Sequence, residues 1–249
     1  MSNSIVSQEL TRGVPTKYLT PKLLAAFEAY SSKLMELNTT AGFTSLTDPN
    51  VIAQRHFVEP VGLLHLLLER EHITADSLCD VADIGTGGGF PSVPMALVHG
   101  GMNLSLIESN KRKADSLRQI LEMLEQFGLL SEPNVFSERV ETIGRFPECR
   151  GTHDVVVSRA VARVNVMIEY ALPLLKLDGI LALVKGSRSD QEIQDAQNAL
   201  QIVGGELVEK IELPFTNSVE SQYVILIQKK RATDDRYPRR PGIPIKRPL

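Results

Sequence analysis

The sequence is poor in cysteine and in long apolar runs. Cys79 and Cys149 are the two cysteines among 249 residues, and their spacing matches no CxxC or metal-binding motif. We therefore expect two ordinary buried thiols, no metal site and a reducing compartment. The opening residues lack the basic start and apolar run of a signal peptide. No segment approaches the roughly 20 apolar residues that span a bilayer. These absences predict a soluble, cytoplasmic protein without a membrane partner.

Charge is distributed unevenly along the chain. Positions 228–249 hold eight basic and two acidic residues, a net charge of +6, which leaves −9 for the rest of a chain whose total is −3. Such asymmetry indicates a polyanionic partner, although a merely solvated tail explains the charge equally well. The apolar content of 43% is sufficient for a sizeable buried core.

Helical patterns dominate the N-terminal part. Thr20-Pro21 predicts a helix start, because threonine caps the first turn and proline suits the first helical position. A second helical pattern follows Asp48-Pro49 and runs towards Glu69, with a bend or break near Pro60. We therefore predict a small helical extension over residues 1–77.

From residue 78 onwards, short β-rich runs alternate with helical segments. Alternation of this kind predicts parallel strands joined by crossover helices in a doubly wound α/β sheet. Strands are predicted at 78–84, 102–108, 134–138, 153–159 and 179–185, and helices from 91 and over 110–127, 163–176 and 188–203. Two last β-rich runs, 205–213 and 221–229, have no helical stretch between them, which predicts an antiparallel pair. The sheet domain then covers 78–231, and a basic, proline-rich tail packed on it covers 232–249.

A glycine-rich segment, residues 83–90, follows the first predicted strand. Its sequence, Asp-Ile-Gly-Thr-Gly-Gly-Gly-Phe, predicts a tight turn that brings the backbone close to a ligand. Open α/β sheets bind ligands at this position, outside the carboxyl ends of the strands. A nicotinamide fingerprint requires glycine where Phe90 stands, and a phosphate cradle requires a following Gly-Lys-Ser/Thr that is absent. The candidate ligand contacts in this glycine loop are Asp83, Gly85, Gly87, Gly89 and Phe90.

Glu108 stands at the end of the second predicted strand, 23 residues after Gly85. A carboxylate at this position can accept hydrogen bonds from both hydroxyls of a ribose. The alternative is structural, a strand-end glutamate at the N-terminus of the helix that starts near Asn110. Together with the loop, Glu108 favours an adenosine-containing cofactor. The Asp-x-Gly-x-Gly-x-Gly spacing resembles the first motif of class I methyltransferases, which favours S-adenosylmethionine over a nicotinamide.

Four segments carry a more specific pattern. They are Asp-Ile-Gly-Thr-Gly-Gly-Gly-Phe-Pro (83–91), Arg-Val-Glu (139–141), Ser-Arg-Ala-Val-Ala (158–162) and Tyr-Pro-Arg-Arg-Pro-Gly-Ile-Pro-Ile-Lys-Arg-Pro-Leu (237–249). Together they resemble the ribosomal small-subunit methyltransferase G family, also called glucose-inhibited division protein B. The resemblance implies a class I methyltransferase fold, which is a Rossmann-like α/β sheet, mostly parallel with an antiparallel last strand. It also implies transfer of a methyl group from S-adenosylmethionine to N7 of a guanine in the 530 loop of 16S rRNA. The expected enzyme is a monomer that acts on 16S rRNA or the small ribosomal subunit.

The same resemblance implies a cofactor pocket built from the glycine loop, the backbone at Val140 and Glu141, and Arg159. Arg159 is also the best candidate near the transfer site, because a planar guanidinium can hold a carboxylate or a phosphate in bidentate fashion. Considered alone, a strand-end arginine forms a structural salt bridge equally well. No general base is expected, because guanine N7 already carries an in-plane lone pair.

Basic and aromatic side chains towards the C-terminus are the candidate RNA contacts. Cations contact phosphates, and a tyrosine can stack on a base. The candidates are Lys185, Tyr237, Arg239, Arg240, Lys246 and Arg247, with Lys229 to Arg231 as a further basic cluster. The prolines of the tail predict an extended, stiff segment. The alternative is that Tyr237 and the prolines simply pack the tail over the sheet.

The N-terminal part departs from the family pattern. Leu37-Asn38 replaces an expected Trp-Asn pair, and Glu59-Pro60 replaces the Asp-Ser that usually follows His-Phe-x. For His56, orientation of the extension against the sheet is favoured over catalysis. Two other classes of function remain open at this point: a methyltransferase for a protein or small molecule, and a non-catalytic RNA-binding assembly factor.

Overall fold

The computed structural model describes residues 4–159, 161–187, 189–215 and 221–249. Ala160 of the Ser-Arg-Ala-Val-Ala motif and Arg188 at the start of the predicted helix 188–203 lie outside them. Among the described residues the strands are β1 (Cys79–Ile84), β2 (Met102–Ile107), β3 (Asn134–Phe136), β4 (His153–Arg159), β5 (Leu175–Lys185), β6 (Gly205–Glu212) and β7 (Tyr223–Lys229). The α-helices are α1 (Ile5–Gly13), α2 (Pro21–Ala41), α3 (Pro49–Ala53), α4 (Glu59–Glu69), α5 (Ser92–His99), α6 (Lys111–Glu125), α7 (Val140–Ile143), α8 (Val164–Ala171), α9 (Ser189–Asp195), α10 (Gln197–Val203) and α11 (Ile243–Lys246).

The strands form one sheet in the order β3-β2-β1-β4-β5-β7-β6. Neighbouring strands from β3 to β5 are parallel, whereas β7 is antiparallel to both β5 and β6. This arrangement confirms the predicted doubly wound sheet and its antiparallel last pair. β5 begins at Leu175, four residues before the predicted start, because Leu177 and Asp178 are exposed and interrupt the apolar pattern.

Residues of the central strands alternate between two apolar layers. Val81, Val155 and Val157 belong to one buried cluster, whereas Ala82 and Val156 belong to the other. Both faces of β1 and β4 are therefore buried, as is usual when crossover helices cover both sides of a parallel sheet. Helices α5 and α6 contribute to the first cluster, and α8 and α10 contribute to the second.

The helical extension shares its core with the sheet. Phe27, Tyr30 and Phe57 are fully buried and lie in the same apolar cluster as Val81 of β1. The predicted helix start is confirmed, since Thr20 Oγ1 accepts a hydrogen bond from the Leu23 amide at 3.1 Å. Within the described residues, no helix is long and apolar enough to cross a membrane.

The predicted break near Pro60 takes the form of a π-helical turn. Residues Gln54–Val58 form this wider turn between α3 and α4. Pro60 has no amide hydrogen, so it cannot donate to the carbonyl of residue 56, and one α-helical hydrogen bond is missing in the first turn of α4. The turn carries Arg55 and His56, and the Arg55 carbonyl and the His56 ring contact Arg159 at the end of β4.

The C-terminal tail runs from the amino-terminal edge of the parallel strands towards their carboxyl ends. Near its start, the Arg150 guanidinium donates to the carbonyls of Thr233 and Asp234 at 2.9 and 3.2 Å. Further on, the Gly242 amide donates to Glu141 Oε1 at 2.9 Å. The expectation of a wholly extended tail is wrong, because residues 243–246 form the short helix α11. Gly242, at a φ of 81°, makes the turn into that helix.

Candidate functional site

The glycine loop has the tight geometry that its sequence predicts. Gly85 and Gly89 have φ values of 72° and 100°, which side chains other than glycine rarely adopt. An added Cβ at Gly85 would collide with the side chain of Val161, and one at Gly89 would collide with the hydroxyl of Tyr30. Packing within the protein therefore requires glycine at both positions, and Gly85 and Gly87 are the half-buried glycines of the loop at the carboxyl end of β1.

Most amides of the loop are used within the protein. Those of Gly85 and Thr86 donate to the Ile107 carbonyl at 2.8 and 3.2 Å, and those of Gly89 and Phe90 donate to the Thr86 carbonyl at 2.9 Å. The glycine-rich turn is expected from its sequence to bring backbone N–H groups close to a ligand, but these four amides already have acceptors within the protein. What the loop offers is close approach of the backbone without side chains.

Asp83 supports the loop from beneath and does not face the cleft. Its side chain is fully buried, and Oδ2 accepts hydrogen bonds from the Ser92 hydroxyl at 2.6 Å and the Thr86 hydroxyl at 3.0 Å. Burial raises the pKa of Asp83 to about 7, although these hydrogen bonds oppose the rise. These contacts support an indirect role, and a direct contact of Asp83 with a ligand stays a prediction, since Oδ1 has no partner among the described residues.

Glu108 lies beside the loop, as predicted. Its Oε2 accepts a hydrogen bond from the Gly87 amide at 3.2 Å, and its Oε1 accepts one from the Asn110 amide at 2.7 Å. Each oxygen of an ionised carboxylate has a second lone pair, which can accept a hydrogen bond from a ribose hydroxyl. The two interpretations from the sequence are compatible, because the same carboxylate orders the backbone and keeps acceptor capacity.

A cavity of about 180 Å³ opens between the glycine loop and the adjoining strand ends. It is lined by Ile84, Gly85, Ile107, Ser109, Glu138, Arg139, Val140, Val161, Ala162, Tyr170 and Ile245. Drug-sized ligands occupy pockets of at least roughly 300 Å³, so this cavity accommodates one part of a nucleoside cofactor. Its aliphatic walls suit a purine, and the neighbouring Glu108 suits a ribose. The residues therefore fit the adenosyl end of S-adenosylmethionine.

Val140 and Glu141 play different parts at this cavity. Val140 forms part of the wall, and contact of its backbone with the cofactor stays a prediction. The Glu141 carboxylate is fully buried and accepts hydrogen bonds from Arg139 at 3.0 Å and from the Tyr170 hydroxyl at 3.1 Å. Burial raises the pKa of Tyr170, and the adjacent Glu141 carboxylate adds to that rise.

Arg159 points towards the helical extension. Its guanidinium donates to the Arg55 carbonyl, lies 2.8 Å from His56 Nδ1 and lies 3.8 Å from Glu59 Oε2. Phe90 turns the same way, with its ring stacked on His56 at a centroid distance of 4.4 Å. The structural salt bridge left open by the sequence is thus present, and direct contacts of Arg159 and Phe90 with a ligand stay predictions.

The sequence did not predict this partly buried cluster, in which four polar side chains surround Phe90 and which we define as Arg55, His56, Glu59, Phe90 and Arg159. Burial lowers the pKa of His56 to about 3, helped by the two guanidinium groups, and burial raises the pKa of Glu59. The His56-Phe57 pair, which matches the His-Phe-x pattern of the family, was the one available signal. Its partner, Arg159, lies more than a hundred positions away along the chain.

The candidate RNA contacts fall into two groups. Arg239 donates to Glu169 through Nε and Nη2, and Lys185 donates to the Ala162 carbonyl and to Glu192 at 2.8 Å. Tyr237 is partly buried against the second apolar cluster, as the packing alternative predicted. The exposed group contains Arg240, Lys246 and Arg247, whose side chains form no ion pair within the described part of the chain.

The basic cluster at 229–231 lies far from this cleft. Lys229 is buried and donates to the Leu175 carbonyl at 2.6 Å, and burial lowers its pKa to about 8. Because β7 is antiparallel to β5, Lys230 and Arg231 lie at the amino-terminal edge of the parallel strands. Because the Lys229 side chain is buried, the expectation that it contacts the same RNA as the tail is wrong.

The sheet order, the glycine loop and the acidic strand end define the class I methyltransferase fold. Magnesium protoporphyrin IX methyltransferase (ChlM) from Synechocystis PCC 6803, solved with bound SAM, is similar in fold with a TM-score of 0.56 and 13% identity, over 85% of this chain and 99% of that chain. The [4+2]-cyclase SpnF is also similar, with a TM-score of 0.53 and 12% identity, over 84% of this chain and 96% of that chain. Because one of these two is a cyclase, the likeness concerns fold alone.

Sequence comparison identifies the family. The sequence model of the GidB family, rRNA small subunit methyltransferase G, matches residues 23–218. Ribosomal RNA small subunit methyltransferase G of Chloroflexus aggregans is 36% identical over 239 residues, which are 95% of this chain and 93% of that protein. The enzyme of the same name from Desulforamulus reducens is 34% identical over 233 residues, 93% of this chain and 92% of that protein. The chain therefore belongs to the rRNA small subunit methyltransferase G family.

Proposed function

We propose that this protein transfers a methyl group from S-adenosylmethionine to N7 of a guanine in the 530 loop of 16S rRNA. The observation that carries the proposal is the cavity of about 180 Å³ beside Gly85 and Glu108 in a chain of this family. The acceptor is proposed to be 16S rRNA, free or in the small ribosomal subunit. A cytoplasmic location follows from that substrate, and we expect a monomer.

The proposed reaction requires the protein chiefly to bind the two reactants and to align them. S-adenosylmethionine supplies an activated methyl group when it is bound, and guanine N7 needs no deprotonation before it attacks. Holding two reactants in line can lower a barrier by about 7–11 kcal/mol. In this chain, Glu108 is positioned to accept hydrogen bonds from the ribose, and Val140 and Ile107 line the purine side of the cavity. Exposed Arg240, Lys246 and Arg247 are positioned to hold RNA phosphates near the cleft.

The test is product analysis. Purified protein, S-adenosylmethionine and either deproteinised 16S rRNA or small subunits should yield 7-methylguanine in the nuclease fragment that contains the 530 loop, as read by mass spectrometry. Methylation of a different base, or of ribosomal protein, would contradict the proposal and favour another acceptor.

Glu108→Ala tests the site within the same assay. Because the change removes charge-assisted hydrogen bonds to the ribose, we expect about 100-fold weaker binding of adenosylhomocysteine by calorimetry. Methylation should fall in parallel when the cofactor concentration is below saturation. Glu122→Ala, at an exposed glutamate on α6, is the matched control and should behave as the wild type does. Equal cofactor binding in the two variants would remove Glu108 from the site.

A further inference from the structure

Two exposed aliphatic side chains meet at the cofactor cavity. Val161 follows β4 and has 44% of its surface exposed, and Ile245 lies in the C-terminal tail and has 55% exposed. Both line the same cavity, although 84 positions separate them along the chain. Exposed apolar surface that converges on one concave site is characteristic of a ligand-binding wall.

The position of Ile245 is fixed by buried contacts of the tail. Arg239 pairs with Glu169, whose side chain is 1% exposed, at 2.6 Å. The amide of Gly242, three residues before Ile245, donates to the fully buried carboxylate of Glu141 at 2.9 Å. The tail is therefore attached to the protein immediately before the residue that reaches the cavity.

The buried carboxylate of Glu141 also connects the tail to the opposite wall. The same oxygen, Oε1, accepts hydrogen bonds from Gly242 of the tail and from the Tyr170 hydroxyl. Val140, the preceding residue, and Tyr170 themselves both line the cavity. One carboxylate thus sets the distance between two sides of the same pocket.

We propose that Ile245 is a cofactor-binding residue that packs against the adenosyl group of S-adenosylmethionine. The proposal rests on the cofactor of the proposed function and assigns the tail to the cofactor pocket in addition to the predicted RNA surface. The aliphatic part of the lining, to which Ile245 belongs, suits the adenosyl end, because aliphatic side chains stabilise a flat purine. The polar lining residues are Ser109, Glu138, Arg139 and Tyr170. The charged amino acid end of the cofactor requires polar partners and is poorly matched to Ile245, Val161 and Ile107.

Calorimetric titration with adenosylhomocysteine and with adenosine tests this contact. Ile245→Ala should weaken binding of both ligands by about fivefold, the loss expected when roughly half of an isoleucine side chain is no longer buried. Ile243→Ala is the matched control, because Ile243 lies in the same short helix, is 38% exposed and does not line the cavity. Equal affinities in the two variants would overturn the proposal, and so would a loss seen with adenosylhomocysteine but not with adenosine.

Hydrogen exchange gives a second readout that does not depend on the variants. Adenosylhomocysteine should slow amide exchange in residues 243–247 of the wild-type protein, whereas unchanged exchange there would argue against a contact. The proposed function and this inference fail in different ways. If the wild type bound neither ligand, the cofactor and the proposed function would be lost, whereas tight wild-type binding that Ile245→Ala leaves unchanged would remove only the role of the tail.

Discussion

At the scale of single residues, His56 is held neutral between the helical extension and the sheet. It is 7% exposed, stacks on Phe90 and lies 2.8 Å from a nitrogen of the Arg159 guanidinium. Burial and the positive charges of Arg159 and Arg55 lower its pKa to about 3. Protonation would place a third positive charge in this cluster, so the histidine serves packing and orientation. The structural role favoured from the sequence stays a prediction, because His56 Nε2 is buried without a hydrogen-bond partner among the described residues.

A pH-dependent stability follows for His56. In the unfolded chain, the pKa of a histidine is about 6.5. The stability that comes from the neutral ring is therefore fully present above that pH and is lost as the pH falls towards the folded value. Relative to His56→Gln, the unfolding free energy of the wild type should fall by about 1.4 kcal/mol for each pH unit below about 6. Urea denaturation of both proteins at a series of pH values measures this difference.

Asp83 changes the stability in the opposite direction. Because its pKa is raised to about 7 in the folded protein, the stability that comes from its protonated form is lost as the pH rises. It is present in both proteins and cancels in the difference. If the two curves of unfolding free energy against pH ran parallel, His56 would be shown to titrate normally in the folded state.

Residue type alone could not separate the RNA candidates. Arg239 and Arg240 are adjacent and chemically identical, yet the first pairs with buried Glu169 and the second is exposed. The difference depends on a carboxylate 70 positions away, which no local pattern reveals. Spacing did predict Glu108 and the glycine loop, because strand–loop–helix units place those residues through local geometry.

At the scale of elements, helix α2 holds the glycine loop in place. The Tyr30 hydroxyl donates to the Gly88 carbonyl at 2.5 Å, and the Tyr30 ring stacks on Phe90 at 5.3 Å. A helix outside the nucleotide-binding unit therefore fixes the backbone that the cofactor must approach. This gives the extension a role that its divergent sequence did not reveal.

Tyr30→Phe tests that role. Because the buried Gly88 carbonyl loses its donor, the free energy of unfolding should fall by about 1–3 kcal/mol and the affinity for adenosylhomocysteine should fall with it. Tyr18→Phe is the matched control, since it removes a hydroxyl that lies 2.9 Å from His65 Nδ1 and touches no part of the loop. Denaturant unfolding and calorimetry measure the two quantities. Equal cofactor affinity in both variants would separate α2 from cofactor binding.

Regular elements with strong periodicity or caps were predictable, and irregular ones were not. The start of α2 and all of β4 agree with their predictions, because Thr20-Pro21 and a continuous apolar run are local signals. α1 was not predicted, since few of its residues are apolar. The predicted helix 188–203 forms two helices within the described residues, α9 and α10, which meet at Ala196.

At the scale of the whole molecule, the two terminal segments cover opposite faces of the sheet. The extension joins the apolar cluster that contains α5 and α6, whereas Tyr237 and Leu249 of the tail pack against the cluster that contains α8. The extension reaches the carboxyl edge of the sheet at Gly88, and the tail reaches it at the cavity beside the glycine loop. Composition predicted that the tail is basic, but only the three-dimensional arrangement shows which of its cations remain exposed.

The salt dependence of RNA binding tests this division of the basic residues. If Arg240 and Lys246 each neutralise one phosphate, Arg240→Ala with Lys246→Ala should reduce the slope of log affinity against log salt by about 1.5. The matched control is Lys230→Ala with Arg231→Ala, which removes the same charge at the opposite edge of the sheet and should leave the slope nearly unchanged. Filter binding to a 16S rRNA fragment at several salt concentrations measures both slopes. Equal reductions in the two variants would mean that RNA responds to net charge, and the tail would then have no specific place in the interface.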